Sequence, residues 1–178
     1  MDVSKHAAEL ASSAAEQIFV HDLTAAPLVG VGPLRFDAVT MTELLEHLSR
    51  PVALLKNLRP LLAEHATVVV TLPTGPMTPY DLMIGHMQHM TLNELELCRA
   101  QAEYKTIRAY RWGFPFHSLY WMMVGLLGEN ASSYAPTERS GLGRLTLSIV
   151  NASFYCNVKS RRLGRQIVAV IAPKKKSP

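Results

Sequence analysis

The chain has 178 residues, of which 48% are hydrophobic and 18% charged, so one packed domain is expected and disorder is not. The N-terminus lacks a secretory signal pattern, no apolar run reaches the roughly 20 residues of a membrane helix, and Cys98 and Cys156 have no metal-binding spacing, which predicts a cytoplasmic protein without a transmembrane segment. Nine Lys or Arg and no acidic residue follow Glu138. This basic end permits weak contact with an anionic membrane surface, but no nucleic-acid partner is expected because aromatic residues are not interleaved with the basic ones.

Helices and strands alternate along the first half of the chain. A stripe of small residues predicts a helix over 4–15, a short apolar run predicts a strand over 17–21, and Pro and Gly residues predict a loop over 24–35. The short apolar segment over 36–42 predicts a second strand. Pro51 then opens a helix whose apolar face comprises Val52, Leu55, Leu58 and Leu62.

The second half begins with the strongest strand pattern, a buried strand over 66–72. Thr91 and Glu94 have the spacing of a capping box, which predicts a helix from there to about residue 104. A strand is expected over 105–112 and the last one over 166–172. Between these two strands, residues 114–163 form a long connection for which no regular crossover is expected.

Strands that are continuous apolar runs and alternate with helices are typical of a parallel sheet covered on both faces. The expected class is therefore α/β, with a Rossmann-like, mostly parallel sheet. The long connection before the last strand permits an antiparallel hairpin at the C-terminal edge. We expect a single domain over 1–178, in which 114–163 forms a lid or insertion before the last strand.

The most informative segment spans residues 36–48 and reads FDAVTMTELLEHL. It resembles the fourth strand and following helix of class I S-adenosylmethionine-dependent methyltransferases. Further segments are similar to later parts of that family, in the right order and spacing. They are the fifth strand at 68–73, the turn before the substrate-side helix at 85–91, a Gly-Phe-Pro turn at 113–115 and the closing strand at 163–170.

This resemblance implies S-adenosyl-L-methionine as the cofactor. An acidic residue at the end of the family's second strand holds the ribose hydroxyls, one at the end of the third strand bonds the adenine amine, and the end of the fourth strand lines the methionine part. The corresponding cofactor-binding residues in this chain are Asp2, Val3, Asp22, Leu23, Thr40, Met41 and Glu43.

The glycine-rich turn and first strand of the family would precede Asp2, and neither Gly30-Val31-Gly32 nor Gly141-Leu142-Gly143 follows a predicted strand in its place. We therefore expect an N-terminally truncated, partial domain. Without the central first strand, one edge of the fourth strand is bare, which favours a homo-oligomer formed through that edge.

His86 and His89 lie in the loop expected over the mouth of the site, and the resemblance makes them candidate catalytic residues, as general base or substrate contact. Their spacing also suits a metal, but no third ligand is evident, so no metal is predicted. Glu46 and His47 are considered as an acid–base pair and interpreted as helix-packing residues. The candidate substrate-side residues are Tyr80, Phe114, Phe116 and Tyr120.

The predicted function is methyl transfer from S-adenosyl-L-methionine to a small molecule, apolar if the aromatic and Met residues of 114–123 cover it. The alternative is a non-catalytic, degenerate methyltransferase-like domain that acts as a protein-interaction module through its exposed strand edge. A nicotinamide-dependent dehydrogenase is disfavoured, since it would also need a glycine-rich first turn. Cofactor binding distinguishes the first two hypotheses.

Overall fold

The computed structural model describes residues 9, 14–19, 21, 22, 25, 34–127 and 141–174. The strands are β1 (Phe36–Thr42), β2 (Leu62–Pro73), β3 (Tyr104–Phe114), β4 (Val158–Ser160) and β5 (Gln166–Pro173). The α-helices are α1 (Pro51–Leu58), α2 (Pro79–Met83), α3 (Leu92–Gln101), α4 (Phe116–Leu127) and α5 (Gly141–Phe154). Single 3₁₀ turns cover Leu45–His47 and Arg59–Leu61.

The five strands form one sheet in the order β1-β2-β5-β3-β4. β1 and β2 are parallel, with Thr42 opposite Thr71 at their carboxyl ends. β5 is antiparallel to both of its neighbours, β2 and β3, and β4 is antiparallel to β3. The α/β class and the antiparallel C-terminal edge are thus confirmed. The antiparallel share is larger than expected because β5 inserts between β2 and β3 and pairs with each.

The core lies on one face of the sheet. Every second residue of the C-terminal half of β2, from Ala66 to Leu72, is buried, as the alternation of side chains along a strand requires. The buried apolar residues of α1 and α3 form one core cluster with these residues. Tyr104 is fully buried between them, and its hydroxyl donates to the Leu55 carbonyl at 2.9 Å. This bond satisfies the one polar atom of a large core side chain.

Several predicted elements are confirmed, including the capping box of α3, in which Thr91 accepts from the Glu94 amide and the Glu94 side chain accepts from the Thr91 amide. The strands predicted at 36–42, 66–72 and 166–172 are present as β1, β2 and β5. Two boundaries differ. Leu62 opens β2 rather than closing α1, and α3 ends at Gln101 because Glu103 adopts a left-handed φ of 62° that reverses the chain into β3.

Other expectations were wrong or fall outside the described residues. The connection 114–163 contains α4, α5 and β4 instead of lacking regular structure. Residues 17–19 and 21 lie outside any strand, since the sheet ends at β1 as far as the structure describes it. The helix predicted at 4–15 lies almost wholly outside the described residues. Among those that are described, no helix is both long and apolar enough to cross a bilayer.

Candidate functional site

The site begins where β1 and β2 end side by side. Glu43, the residue after β1, has a left-handed backbone with φ 49°, and its amide donates to the Thr71 carbonyl at 3.0 Å. Its carboxylate accepts from the Thr71 hydroxyl at 2.9 Å and from the Gln166 side-chain amide. A non-glycine residue held in this conformation costs about 1–3 kcal/mol, so these bonds hold Glu43 in place against strain.

The loop after β2 carries a second set of residues to the same edge. Thr78 caps α2 through a capping box with Asp81, whose carboxylate accepts from the Thr78 amide at 2.6 Å. Gly85 then turns the chain with φ +88°, and the His86 amide donates to the Asp81 carbonyl at 2.9 Å. The capping box and the turn at Gly85 together fix the backbone position of His86.

His86 and His89 form a hydrogen-bonded pair, with His86 Nδ1 at 3.0 Å from His89 Nε2. His89 Nδ1 lies 3.2 Å from the Gly75 carbonyl, which can only accept, so His89 Nδ1 is the donor and its Nε2 accepts from His86. In this arrangement His86 Nε2 is left as a nitrogen with an available lone pair. Asp81 Oδ1 lies 3.7 Å from both rings.

The surroundings of His86 favour its neutral form. Burial lowers the pKa of His86, and the nearby rings of His47 and His89 lower it further, while the carboxylates of Asp81 and Glu43 oppose the shift. The side chain is 8% exposed and that of His89 is 3% exposed. A neutral imidazole in this position can accept a proton or bind a cation.

Glu46 and His47 reach the cluster from the turn after β1. His47 Nδ1 lies 3.0 Å from the Gly85 carbonyl, and its ring centroid is 4.8 Å from that of His86. Glu46 is 0% exposed, and neither carboxylate oxygen has a hydrogen-bond partner among the described residues. Burial raises the pKa of Glu46 to about 7. A contact with its own backbone amide opposes this shift, and the nearby Glu43 side chain adds to it.

A cavity of about 300 Å³ lies at this edge of the sheet. Its lining joins three residues expected from the sequence, Glu43, His86 and His89, to residues from α2, α4 and the start of β5. The full lining consists of Glu43, His47, Pro73, Asp81, Ile84, His86, His89, Trp121, Arg165 and Gln166. The cavity is therefore lined by two carboxylates and three imidazoles together with an arginine and an aromatic ring.

Thr40 and Met41 line a different cavity, of about 620 Å³, beside β1 and α1. Its walls also include Glu16, Gln17 and Phe19 from the described part of the N-terminal segment. The predicted cofactor residues on β1 and at its end are thus divided between two cavities. Thr40 and Met41 line the larger one, and Glu43 lines the smaller one.

The remaining predicted residues lie farther out or outside the described part of the chain. Tyr80 packs near Trp121, with ring centroids 6.2 Å apart. Phe114, Phe116 and Tyr120 are exposed and line neither cavity, although Tyr120 packs against Trp121. Asp22 is described and exposed, whereas Asp2, Val3 and Leu23 lie outside the described residues.

Sequence reasoning missed the contribution of Asp81, Arg165 and Gln166. A usable signal existed for Asp81, because Thr78 and Asp81 have capping-box spacing with Pro79 between them. No local signal marks Gln166 as a partner of Glu43, which is 123 positions away. The third potential ligand that the sequence did not reveal beside His86 and His89 is Asp81, and a second group of potential ligands joins His86 to Glu46 and His47.

No family model and no curated protein matches this sequence. Solved structures do match its fold. The O-methyltransferase from a trans-AT PKS multienzyme of Brevibacillus brevis, in complex with S-adenosyl-L-homocysteine, is 16% identical, with a TM-score of 0.57 over 96% of this chain and 56% of that one. A Bacillus halodurans protein assigned as a methyltransferase is 14% identical, with a TM-score of 0.54 over 97% of this chain and 81% of that one.

The chain has a class I methyltransferase fold. The cyclase SpnF shares it, at 14% identity and a TM-score of 0.58 over 96% of this chain and 64% of that one, so the same fold also serves a different reaction. The chain spans 56% of the length of the Brevibacillus structure. At these identities the similarity concerns the fold, and the chemistry has to be argued from the site.

Proposed function

We propose that the chain is an S-adenosyl-L-methionine-dependent methyltransferase that acts on a small molecule with an apolar part. The observation that supports this most is the convergence of Glu43, His86 and His89 on one cavity at the carboxyl ends of β1 and β2. Ligands of open α/β sheets bind outside the carboxyl ends of the strands. A methyltransferase fold with titratable groups at that place suits methyl transfer to an oxygen or nitrogen.

In this proposal the cofactor lies along the carboxyl end of β1. Thr40, Met41 and Glu43 contact its methionine part, Asp2 and Val3 its ribose, and Asp22 and Leu23 its adenine. Carboxylates suit these roles because one carboxylate can accept from both ribose hydroxyls or from an exocyclic amine. The larger cavity beside Thr40 and Met41 provides space on the cofactor side.

The acceptor occupies the smaller cavity, between the His86–His89 pair and Trp121. Its oxygen or nitrogen attacks the methyl carbon, the carbon–sulfur bond breaks, and the bonding electrons return to sulfur. The proton of the acceptor is removed at the imidazole pair. Most of the rate comes from alignment of the three atoms, since a sulfonium is already a good leaving group. Tyr80, Phe114, Phe116 and Tyr120 form the outer, apolar part of the acceptor path.

A second function is favoured by one specific feature. Among the described strands, β1 pairs with β2 on one side only, and Ala38 and Thr40 on it are exposed. An unpaired edge can accept a strand from a second copy of the chain or from another protein. In that case the domain is a non-catalytic interaction module.

Calorimetric titration of S-adenosyl-L-homocysteine into the purified chain tests both. We expect micromolar binding that Asp2→Ala and Asp22→Ala each weaken about tenfold, the equivalent of one lost charge-assisted contact. Asp37→Ala is the matched control, since Asp37 is an exposed carboxylate near the amino end of β1. A folded chain that binds no S-adenosyl-L-homocysteine would reject the methyltransferase proposal and leave the interaction module.

A further inference from the structure

The Glu46 carboxylate is a buried group that the proposed function does not use. It is fully buried, and among the described residues neither oxygen has a hydrogen-bond partner of good geometry, although its own backbone amide and the Glu43 side chain lie close enough to shift its pKa. Burying an unpaired carboxylate costs roughly several kcal/mol, so such a group either takes up a proton, as the raised pKa of Glu46 allows, or lies beside a cation. Among the described residues, no Lys or Arg forms an ion pair with Glu46.

Two imidazoles lie beside this carboxylate and, like it, offer lone pairs rather than protons. One ligand atom each of Glu46, His47 and His86 lies within 4.8 Å of the other two. His47 Nδ1 is committed to the Gly85 carbonyl, which must accept, so His47 Nε2 holds the lone pair. His86 Nδ1 is committed to His89, so its Nε2 also holds a lone pair. Outer hydrogen bonds that fix the tautomer in this way are typical of metal-binding histidines.

In a neighbouring group of potential ligands, Asp81, His86 and His89, two of the candidate ligand atoms are already in use. Asp81 Oδ2 accepts from the Thr78 amide and hydroxyl at 2.6 and 2.8 Å, and His89 Nε2 accepts from His86. These atoms have their partners within the chain. The carboxylate oxygens of Glu46, by contrast, have no hydrogen-bond partner of this kind among the described residues.

We propose that Glu46, His47 and His86 bind a divalent transition-metal ion. Two imidazoles and one carboxylate, with a further position open to water or substrate, form a ligand set that suits Zn²⁺ and related ions better than Mg²⁺, which prefers oxygen ligands. His47 and His86 both line the 300 Å³ cavity, so the open position faces the space assigned to the acceptor.

The role of the ion rests on the proposed function, although its binding does not. An ion at this position would coordinate the acceptor oxygen and lower the pKa of its hydroxyl, so that the proton passes to solvent and the oxygen attacks as an alkoxide. With the ion bound, His86 would be a ligand and would no longer accept the proton of the acceptor, and His89 would be a positioning residue that orients it. An acceptor with a hydroxyl group is therefore favoured over one with an amine.

The test is metal binding to the purified full chain after removal of metal with a chelator. Co²⁺ is titrated with visible absorbance as the readout, and Zn²⁺ affinity is measured by competition with a chromophoric chelator. We expect Zn²⁺ to bind at micromolar or lower concentration and Glu46→Gln and His47→Gln each to weaken it at least tenfold. His65→Gln is the matched control, since His65 is an exposed histidine on β2 outside the cluster. Its affinity should equal that of the wild type.

Equal Zn²⁺ affinity in the wild type and both cluster variants would overturn the proposal. Loss of binding in Asp81→Asn with retention in Glu46→Gln would also overturn it, by moving the ion to the neighbouring group. If Glu46→Gln fails to fold, His47→Gln decides, because His47 is exposed. No cofactor or acceptor is present in this titration, so its result is independent of S-adenosyl-L-homocysteine binding.

Discussion

A pair of glycine substitutions tests how closely β3 and β5 approach beside the site. Gly164 and Gly75 both have a positive φ, +111° and +99°, so an alanine is strained at either position. They differ in space. A Cβ on Gly164 would lie 2.2 Å from the Trp112 carbonyl oxygen and 2.5 Å from its carbon, whereas a Cβ on Gly75 meets no atom within 4 Å. Gly75→Ala therefore measures the backbone strain alone.

The strain term is about 1–3 kcal/mol for either alanine. Gly164→Ala adds a clash with backbone that is held in the sheet, because Trp112 pairs with Gln166 and Arg111 Nε donates to the Gly164 carbonyl at 2.9 Å. Overpacking of this kind costs about 1–3 kcal/mol more. We therefore expect Gly164→Ala to lose about 2–6 kcal/mol of unfolding free energy, which is a large part of a typical total of about 5–15 kcal/mol.

The assay is equilibrium unfolding in urea, followed by far-ultraviolet circular dichroism, with the unfolding free energy obtained by linear extrapolation. The decisive quantity is the difference between the two variants. If Gly164→Ala is no less stable than Gly75→Ala, the close approach at Trp112 is not a feature of the folded chain. The register of β3 against β5 near the site would then need revision.

Two further stability predictions concern buried polar contacts. Tyr104→Phe should lose about 1–3 kcal/mol in the same urea assay, because it leaves the buried Leu55 carbonyl without its donor, and an unchanged stability would contradict the contact. Burial lowers the pKa of His117 from 6.5. The Glu43 carboxylate opposes this shift, and the charge of Arg165 adds to it. The neutral His117 ring accepts a hydrogen bond from Trp121 Nε1 at 2.9 Å. The unfolded chain therefore takes up a proton first as pH falls below about 6.5, so this part of the stability is present above that pH and lost below it. His117→Gln keeps an acceptor without the titration, so its stability should fall less than that of the wild type from neutral to mildly acidic pH, and equal pH profiles would refute the assignment.

The candidate site was partly predictable because some of its residues sit in local patterns. Gly85 and the capping residue Thr91 bracket the loop that carries His86 and His89, and the apolar run before Glu43 indicates a strand that ends there. These features depend on neighbours a few positions apart. The partners of these side chains were not predictable, because Gln166 reaches Glu43 across 123 positions.

The sequence by itself determined the α/β class, the parallel pairing expected of β1 and β2, and the caps and breaks of most elements. Each of these follows from side-chain periodicity or from hydrogen bonds between near neighbours. Only the tertiary structure decided that β5 inserts between β2 and β3. It also decided that Glu46 is buried beside His47 and His86, with no hydrogen-bond partner among the residues that the structure describes. The physical reason is that burial and strand order depend on contacts between distant segments, which minimise exposed apolar surface over the whole domain and leave no local signature in the chain.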